Sequence, residues 1–153
     1  MNTSCSTCKR PETTYRGRRL AGPCGQVLGV KVTVDGVRLR RARSLAIRSH
    51  SPCGFEWGYS GAGAKQLALA LLLDATDDVE LSQRMYQWFV WATVWGWRDT
   101  WEITAGEIFG WVDRWEREER EREERHSPIE PFVSRLAAMS NVVSSTEGGE
   151  GHG

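Results

Sequence analysis

Residues 30–39 read VKVTVDGVRL, where apolar and polar side chains alternate on both sides of Asp35-Gly36. An alternation with a period of two is typical of a strand with one buried face. An Asp-Gly pair supplies the two positive-φ residues that a tight hairpin requires. We therefore predict a β-hairpin here. Further strands over residues 15–20 and 45–48 would complete an antiparallel sheet of three or four strands, with arginines on its open face.

Three helices are predicted to cover the apolar face of this sheet. The first follows the glycine-rich residues 58–63 and runs through residues 66–73, which are apolar on almost every side and indicate a central position. The second begins at Asp77, with Glu80 as its capping partner, and reaches about Trp95.

The third helix begins at a capping box. Thr104 and Glu107 are its two members, and Ile103 and Ile108 are placed to form a hydrophobic staple across it. Beyond Trp115 the acids and arginines of residues 116–125 alternate without an apolar stripe, which predicts a protruding, solvated extension of the helix.

The predicted fold class is therefore α+β, with a small antiparallel sheet from the N-terminal half packed on three helices from the C-terminal half. Of the 153 residues, 40% are hydrophobic, enough for one core. We expect a flexible segment over residues 1–12, one domain over 13–126, and a tail over 127–153 that holds a short apolar segment before a disordered end.

The apolar runs are too short for a membrane span, which needs roughly 20 residues. Residues 1–12 are polar and do not resemble a secretory leader. These features predict a cytoplasmic protein that does not enter a membrane.

The net charge of zero conceals an uneven distribution. Residues 1–50 hold eleven Lys/Arg against two Asp/Glu, a balance of +9, whereas residues 74–153 hold eight against seventeen, a balance of −9. A basic face could bind a phosphate backbone or an acidic partner, so nucleic acid is one possible partner of the N-terminal half. Alternatively, the two halves pack together and partly neutralise each other.

Residues 49–59 collect a histidine, a carboxylate, hydroxyls and three aromatic rings just before a predicted helix N-terminus. Backbone N–H groups at such a terminus attract anions. The residues expected to contact a ligand are His50, Ser51, Glu56, Trp57, Tyr59, Ser60, Gly61, Gly63 and Gln66. A purely structural role, in which the glycines allow a tight turn into a buried helix, explains the same pattern.

Two chemical alternatives involve the same turn. His50 with Glu56 would form an acid-base pair with Cys53 as nucleophile, although nothing in the sequence positions them together. Cys5-x-x-Cys8 and His50-x-x-Cys53 have the spacing of two halves of a zinc site, but 41 residues separate the halves. Free thiols are the simpler interpretation, and no cofactor is predicted.

Eight tryptophans are many for 153 residues. We expect most of them in the core. Because Trp88, Trp91 and Trp95 recur at helical spacing, an aromatic ridge used for self-association or for a partner is the alternative.

The chain resembles an uncharacterised family, the domain of unknown function numbered 6166. The resemblance covers about residues 15–115 and is carried by Tyr15-Arg16-Gly17, residues 32–36, His50-Ser51-Pro52, residues 54–59, residues 66–72, Tyr86 with Phe89, and residues 101–104. It implies a bacterial or bacteriophage protein and no established activity. Lys65 departs from the family's usual Gly-Gly-Ser-Gly-Pro-Ala-Gln pattern.

Three hypotheses on function follow. The first is a non-enzymatic accessory protein of a phage or mobile element, which recognises an anionic ligand or a protein through the turn of residues 50–66. The second is a small enzyme that acts through His50, Glu56 and Cys53 on a phosphoryl or acyl substrate. The third is a Trp-rich oligomerising domain.

Overall fold

A computed structural model describes residues 8–126 of the chain. The predicted tail of residues 127–153, and Cys5 with the rest of residues 1–7, lie outside the described residues. The chain divides into two compact units, the first ending at Val112 and the second beginning at Asp113.

The first unit contains a four-stranded antiparallel sheet, which confirms the α+β fold class. The strands are β1 (Thr14–Ala21), β2 (Val27–Val34), β3 (Val37–Arg38) and β4 (Thr100–Thr104), in the spatial order β3-β2-β1-β4. The helices are α1 (Ala42–Ile47), α2 (Ala62–Thr76), α3 (Val79–Ala92) and α4 (Ala105–His126), with a short 3-10 helix at Val94–Gly96 between α3 and β4.

The hairpin between β2 and β3 forms as predicted. Asp35 and Gly36 have φ values of 47° and 82°, and Val34 pairs with Val37 across the turn. Positive φ at both central residues matches the right-handed twist of the flanking strands.

The strand predicted over residues 45–48 is wrong, because this stretch belongs to helix α1 and its C-terminal cap. Two of its backbone N–H groups make helical hydrogen bonds: Leu45 donates to the carbonyl of Arg41 over 2.9 Å, and Arg48 donates to the carbonyl of Ser44 over 3.0 Å. The fourth strand comes instead from the C-terminal half, where β4 pairs with β1 from Arg18↔Thr100 to Thr14↔Thr104.

Helix α2 occupies the centre of the first unit, as its composition predicted. Twelve of its 15 residues are buried, and Leu67, Leu69 and Leu71 are fully enclosed. Tyr15 of β1 is also fully buried, and its hydroxyl donates to Asp74 of α2 over 2.9 Å. One face of the sheet therefore packs against α2.

The cap of α3 differs from the prediction by one residue. Asp78, and not Asp77, accepts a hydrogen bond from the Leu81 N–H over 2.9 Å. Asp77 ends α2 in the left-handed conformation with φ of 57°, a conformation that aspartate tolerates better than most residues. Helix α3 itself ends at Ala92, before Trp95.

The capping box of α4 is confirmed. The Thr104 N–H donates to Glu107 Oε2 over 2.8 Å, and the Glu107 N–H donates to Thr104 Oγ1 over 3.2 Å. Ile103 and Ile108 on either side of it are both buried. In the second unit, the α4 residues from Asp113 to His126 are exposed or half-buried.

The expectation that most tryptophans lie in the core is wrong. Trp57 and Trp101 are buried, whereas Trp88, Trp91 and Trp95 are about half exposed. Helix α3 buries its other side through Met85, Tyr86, Phe89 and Val90. Trp88 and Trp91 therefore lie on the solvent-exposed face of α3, and Trp95 is exposed in the 3-10 helix that follows.

Candidate functional site

The turn of residues 50–66 is held closed by Gln66. This side chain is fully buried, and its Oε1 accepts hydrogen bonds from the backbone N–H groups of His50 and Ser51 over 2.8 and 3.1 Å. Its Nε2 donates to Ser44 Oγ over 2.9 Å. Gln66, expected to contact a ligand, is therefore engaged in joining α1, the turn and α2.

Glu56 and Trp57 are also engaged inside the protein. Nη2 of Arg19 lies 2.8 Å from Glu56 Oε1 and 2.9 Å from the carbonyl of Trp57. Trp57 is fully buried, and its Nε1 donates to the carbonyl of Arg98. A Cβ on Gly63 would come within 2.6 Å of Glu56 Cβ. The glycine at 63 thus allows the start of α2 to pack against the turn.

The other predicted contact residues flank the start of α2. Gly61 is the N-cap, with an extended backbone and no side-chain cap. The ring of Tyr59 lies against it, so a Cβ on Gly61 would overlap Tyr59 Cε2. Tyr59 is 47% exposed, and Ser51 and Ser60 are half-buried. Tyr59 is the most accessible aromatic ring of this turn.

His50 is held in a partly enclosed position. Its ring centroid lies 5.0 Å from that of Tyr86, and its buried Nε2 has no hydrogen-bond partner among the described residues. Burial lowers the pKa of His50 below its ordinary value, and the nearby charges of Arg48 and Lys65 lower it further. Each of these effects favours the neutral imidazole.

We expect His50 to make the fold sensitive to mild acid. Because its folded-state pKa lies below the unfolded value of 6.5, its contribution to stability is complete above pH 6.5 and is lost as the pH falls below that value. Urea unfolding at neutral pH and at about pH 5 should show a smaller acid-induced loss for His50→Gln than for the wild type. His126→Gln replaces an exposed histidine and should lose as much stability in acid as the wild type does. Equal losses in all three proteins would contradict this role of His50.

The three residues of the enzyme hypothesis have separate surroundings. Glu56 pairs with Arg19, His50 packs on Tyr86, and Cys53 is exposed. Cys53 and Glu56 line one small pocket of about 300 Å³, whose lining does not include His50. No hydrogen bond joins any two of the three among residues 8–126.

The two described cysteines of the zinc hypothesis, Cys8 and Cys53, have different surroundings. Cys8 Sγ lies 3.0 Å from the carbonyl of Thr76, and Cys53 is exposed. Within residues 8–126, no group of three or more His, Cys, Asp or Glu side chains is arranged to hold a metal ion. Cys5 is not among those residues.

A second candidate surface lies on the face of the sheet that points away from α2. Along β1, Tyr15 and Gly17 are buried whereas Arg16 and Arg18 are exposed. A groove of about 620 Å³ runs over this open face, and it is lined by Arg16, Gly17, Arg18, Lys31, Thr33, Gly36, Thr100, Trp101 and Glu102. Three strands contribute side chains to this groove.

The strand register sets the charges of the groove. Arg16 lies opposite Glu102, with Arg16 Nε 2.5 Å from Glu102 Oε2, so this arginine is neutralised. Arg18 lies opposite Lys31 on one side and Thr100 on the other. Neither Arg18 nor Lys31 forms an ion pair within residues 8–126. Like charges directly opposite each other on a sheet are destabilising.

The groove was only partly visible from the sequence. The alternation predicted that arginines lie on an open face, and Arg16 and Arg18 do. The contribution of β4 was missed, because no strand is predicted over residues 100–104 from the sequence. The alternation of Thr100, Trp101, Glu102 and Ile103 was the available signal.

These features define the class: a small α+β protein in which helices cover one face of a four-stranded antiparallel sheet and the other face is basic and open. The chain belongs to the family of unknown function DUF6166, whose model matches residues 15–114. No curated protein and no solved structure matches the chain.

No helix within residues 8–126 is long and apolar enough to cross a membrane.

Proposed function

We propose that this protein is a non-enzymatic binding module that holds the phosphate backbone of a nucleic acid on the open face of its sheet. The observation that carries the proposal is the juxtaposition of Arg18 and Lys31, two exposed cations in direct cross-strand register without a carboxylate partner among residues 8–126. An anion bound between them would turn a repulsion into two favourable contacts.

A polymer fits this face better than a single small anion does. Arg16 and Arg18 are two residues apart on β1, which sets their Cα atoms about 6.6 Å apart along the strand. Because Arg16 is paired with Glu102, the unpaired cations of the groove are Arg18 of β1 and Lys31 of β2, which face each other across two strands. Two such cations can contact neighbouring phosphates of one strand, and the groove is open to solvent.

The groove favours backbone contacts over base recognition. Its one aromatic residue, Trp101, is only 7% exposed, because its ring lies between Trp97 and Trp57 and is stacked on Trp97 at 4.0 Å. Sequence-tolerant stacking on an exposed ring is therefore not available from Trp101. Binding through cations alone is independent of sequence and falls steeply with added salt.

The test is fluorescence anisotropy with labelled single-stranded and duplex oligonucleotides, titrated at several salt concentrations. Arg18→Ala with Lys31→Ala should weaken binding about tenfold or more. The slope of log K against log salt should fall by about 1.4 to 1.8, the contribution of two phosphate contacts.

The matched control removes two exposed cations elsewhere, by Arg10→Ala with Arg40→Ala. This control has the same net charge as the Arg18→Ala, Lys31→Ala variant, and it should retain most of the wild-type affinity for the oligonucleotide. An equal loss in both double variants would show that net charge, and not the groove, is responsible. Absence of nucleic-acid binding at low salt would overturn the proposal and leave an acidic protein as the partner to test.

The accessory role is proposed from the family resemblance, and the cytoplasmic location is proposed from apolar runs that are too short for a membrane span. We infer an accessory protein of a phage or mobile element that acts in the cytoplasm. The turn of residues 50–66 is a weaker candidate for the recognition surface, because Glu56, Trp57 and Gln66 use their polar groups inside the protein. The enzyme hypothesis draws less support from the separate surroundings of His50 and Glu56.

A further inference from the structure

A third cation extends the pair formed by Arg18 and Lys31. Arg38 of β3 lies opposite Thr33 of β2, so the register places its side chain on the same open face as that of Lys31. In a regular antiparallel sheet, direct neighbours such as Arg18 and Lys31 are about 5 Å apart between Cβ atoms, and diagonal neighbours such as Lys31 and Arg38 are about 7 Å apart. These three exposed cations, which we call the cation track, cross β1, β2 and β3 in turn.

The carboxylates nearest to the cation track are engaged by other groups. Glu102, on the β4 side of the face, pairs with Arg16. Asp35, in the turn before β3, accepts a hydrogen bond from the Thr14 N–H over 2.8 Å. Within residues 8–126, Arg38 forms no ion pair, like the other two members of the track. The uncompensated positive charge of the open face therefore increases from β4 towards β3, and a phosphate chain is attracted in that direction.

The cation track ends at a cleft beside the outer edge of β2, which we call the edge cleft. It is the pocket of about 300 Å³ that also contains Cys53, and Arg38 lies in its wall. Val30 and Val32 line it as well, and they alternate along β2 with the residues of the open face. The edge cleft therefore extends to the opposite side of the sheet, and Arg38 is the residue shared by the track and the cleft.

We propose that the ligand of the open sheet face is a single-stranded nucleic acid, whose backbone follows the cation track from Arg18 to Arg38 and turns into the edge cleft. This inference rests on the proposed function and adds to it the class of nucleic acid, its path and a third phosphate contact. A second arginine, Arg41, lines the cleft beyond Arg38.

The turn around the sheet edge decides between a single strand and a duplex. A single strand rotates freely about its backbone bonds and can change direction within a few nucleotides. Duplex DNA has a persistence length of about 150 base pairs and stays nearly straight over the width of this small sheet. A duplex can therefore contact Arg18 and Lys31 but cannot follow the track into the edge cleft.

Fluorescence anisotropy with a labelled single strand, and with a duplex of the same length, tests the proposal. The single strand should bind more tightly than the duplex at equal salt. Arg38→Ala should weaken single-strand binding about threefold to tenfold and lower the slope of log K against log salt by about 0.7, the contribution of one phosphate contact. Arg38→Lys retains the cation and should retain the wild-type slope, which a purely structural role of Arg38 does not predict.

Arg40→Ala controls for the loss of one positive charge. Arg40 is exposed like Arg38, but it lines neither the basic groove nor the edge cleft. This variant should bind the single strand like the wild type. Equal weakening by Arg38→Ala and Arg40→Ala would overturn the proposed path, and a duplex that binds as tightly as the single strand would overturn the proposed class of ligand.

The double variant Arg18→Ala with Lys31→Ala separates this inference from the proposed function. If the double variant loses affinity whereas Arg38→Ala binds like the wild type, the open face binds nucleic acid but the path through Arg38 is wrong. If the double variant binds like the wild type, or no nucleic acid binds at low salt, both proposals fail.

Discussion

Gly17→Ala is expected to destabilise the fold by about 3 kcal/mol, the upper end of the usual cost of overpacking a core. A Cβ at this position would overlap both Cε2 and Nε1 of the Trp101 ring. The ring has little room to retreat, because Trp97 stacks on it and Trp57 meets it edge-on. Chemical unfolding followed by circular dichroism measures the loss.

Two further variants test whether the Trp101 ring causes that loss of stability. In a Trp101→Ala background, Gly17→Ala should cost less than about 1 kcal/mol, since the obstructing ring is absent. Gly54→Ala is the matched control: nothing lies within 4 Å of a Cβ at residue 54, and this variant should unfold like the wild type. Wild-type stability of the Gly17→Ala protein would contradict the close approach between β1 and β4.

Gln66→Met is expected to destabilise the fold by about 2 to 4 kcal/mol, since two part-buried backbone N–H groups lose their acceptor and the buried Ser44 hydroxyl loses its donor. Methionine retains the apolar volume but cannot accept from the N–H groups of His50 and Ser51, nor donate to Ser44. Urea unfolding gives the free-energy change, and hydrogen exchange should accelerate at the amides of His50 and Ser51.

The control for this substitution is Gln83→Met on the exposed side of α3, which should change stability by less than about 0.5 kcal/mol. Unchanged exchange at residues 50 and 51 in Gln66→Met would show that the turn is held by other contacts.

Local chemistry explains which parts of the fold the sequence predicted. Asp35-Gly36 needs only neighbouring residues to form its turn, and the Thr104/Glu107 capping box acts within one turn of helix. Helix α2 was placed centrally because its composition leaves no polar face. Each of these predictions depends on residues that are close together in the chain.

The errors have a non-local origin. Strand β4 is only five residues long and pairs with β1, more than 80 positions away in the sequence. Residues 45–48 are too short for a periodicity to separate a strand from a helical turn. The exposure of Trp88 depends on which side of α3 packs on the core, and both sides of this helix are apolar near its C-terminal end.

The candidate site illustrates the same limit. The sequence identified a turn dense in polar side chains but could not show that Gln66 bonds to the backbone of that turn. It also indicated arginines on an open sheet face. The opposition of Arg18 and Lys31 required the register between β1 and β2, which is set by the whole sheet.

Chemical-shift mapping by NMR tests the central claim most directly, because it locates a bound oligonucleotide on the protein without a substitution. Titration with a short single strand should shift the amides of residues 16–18, 31–33 and 100–102 progressively, and salt should reverse these shifts. Shifts confined to residues 50–66, or the absence of shifts at low salt, would contradict the assignment of the open sheet face as the phosphate-binding surface.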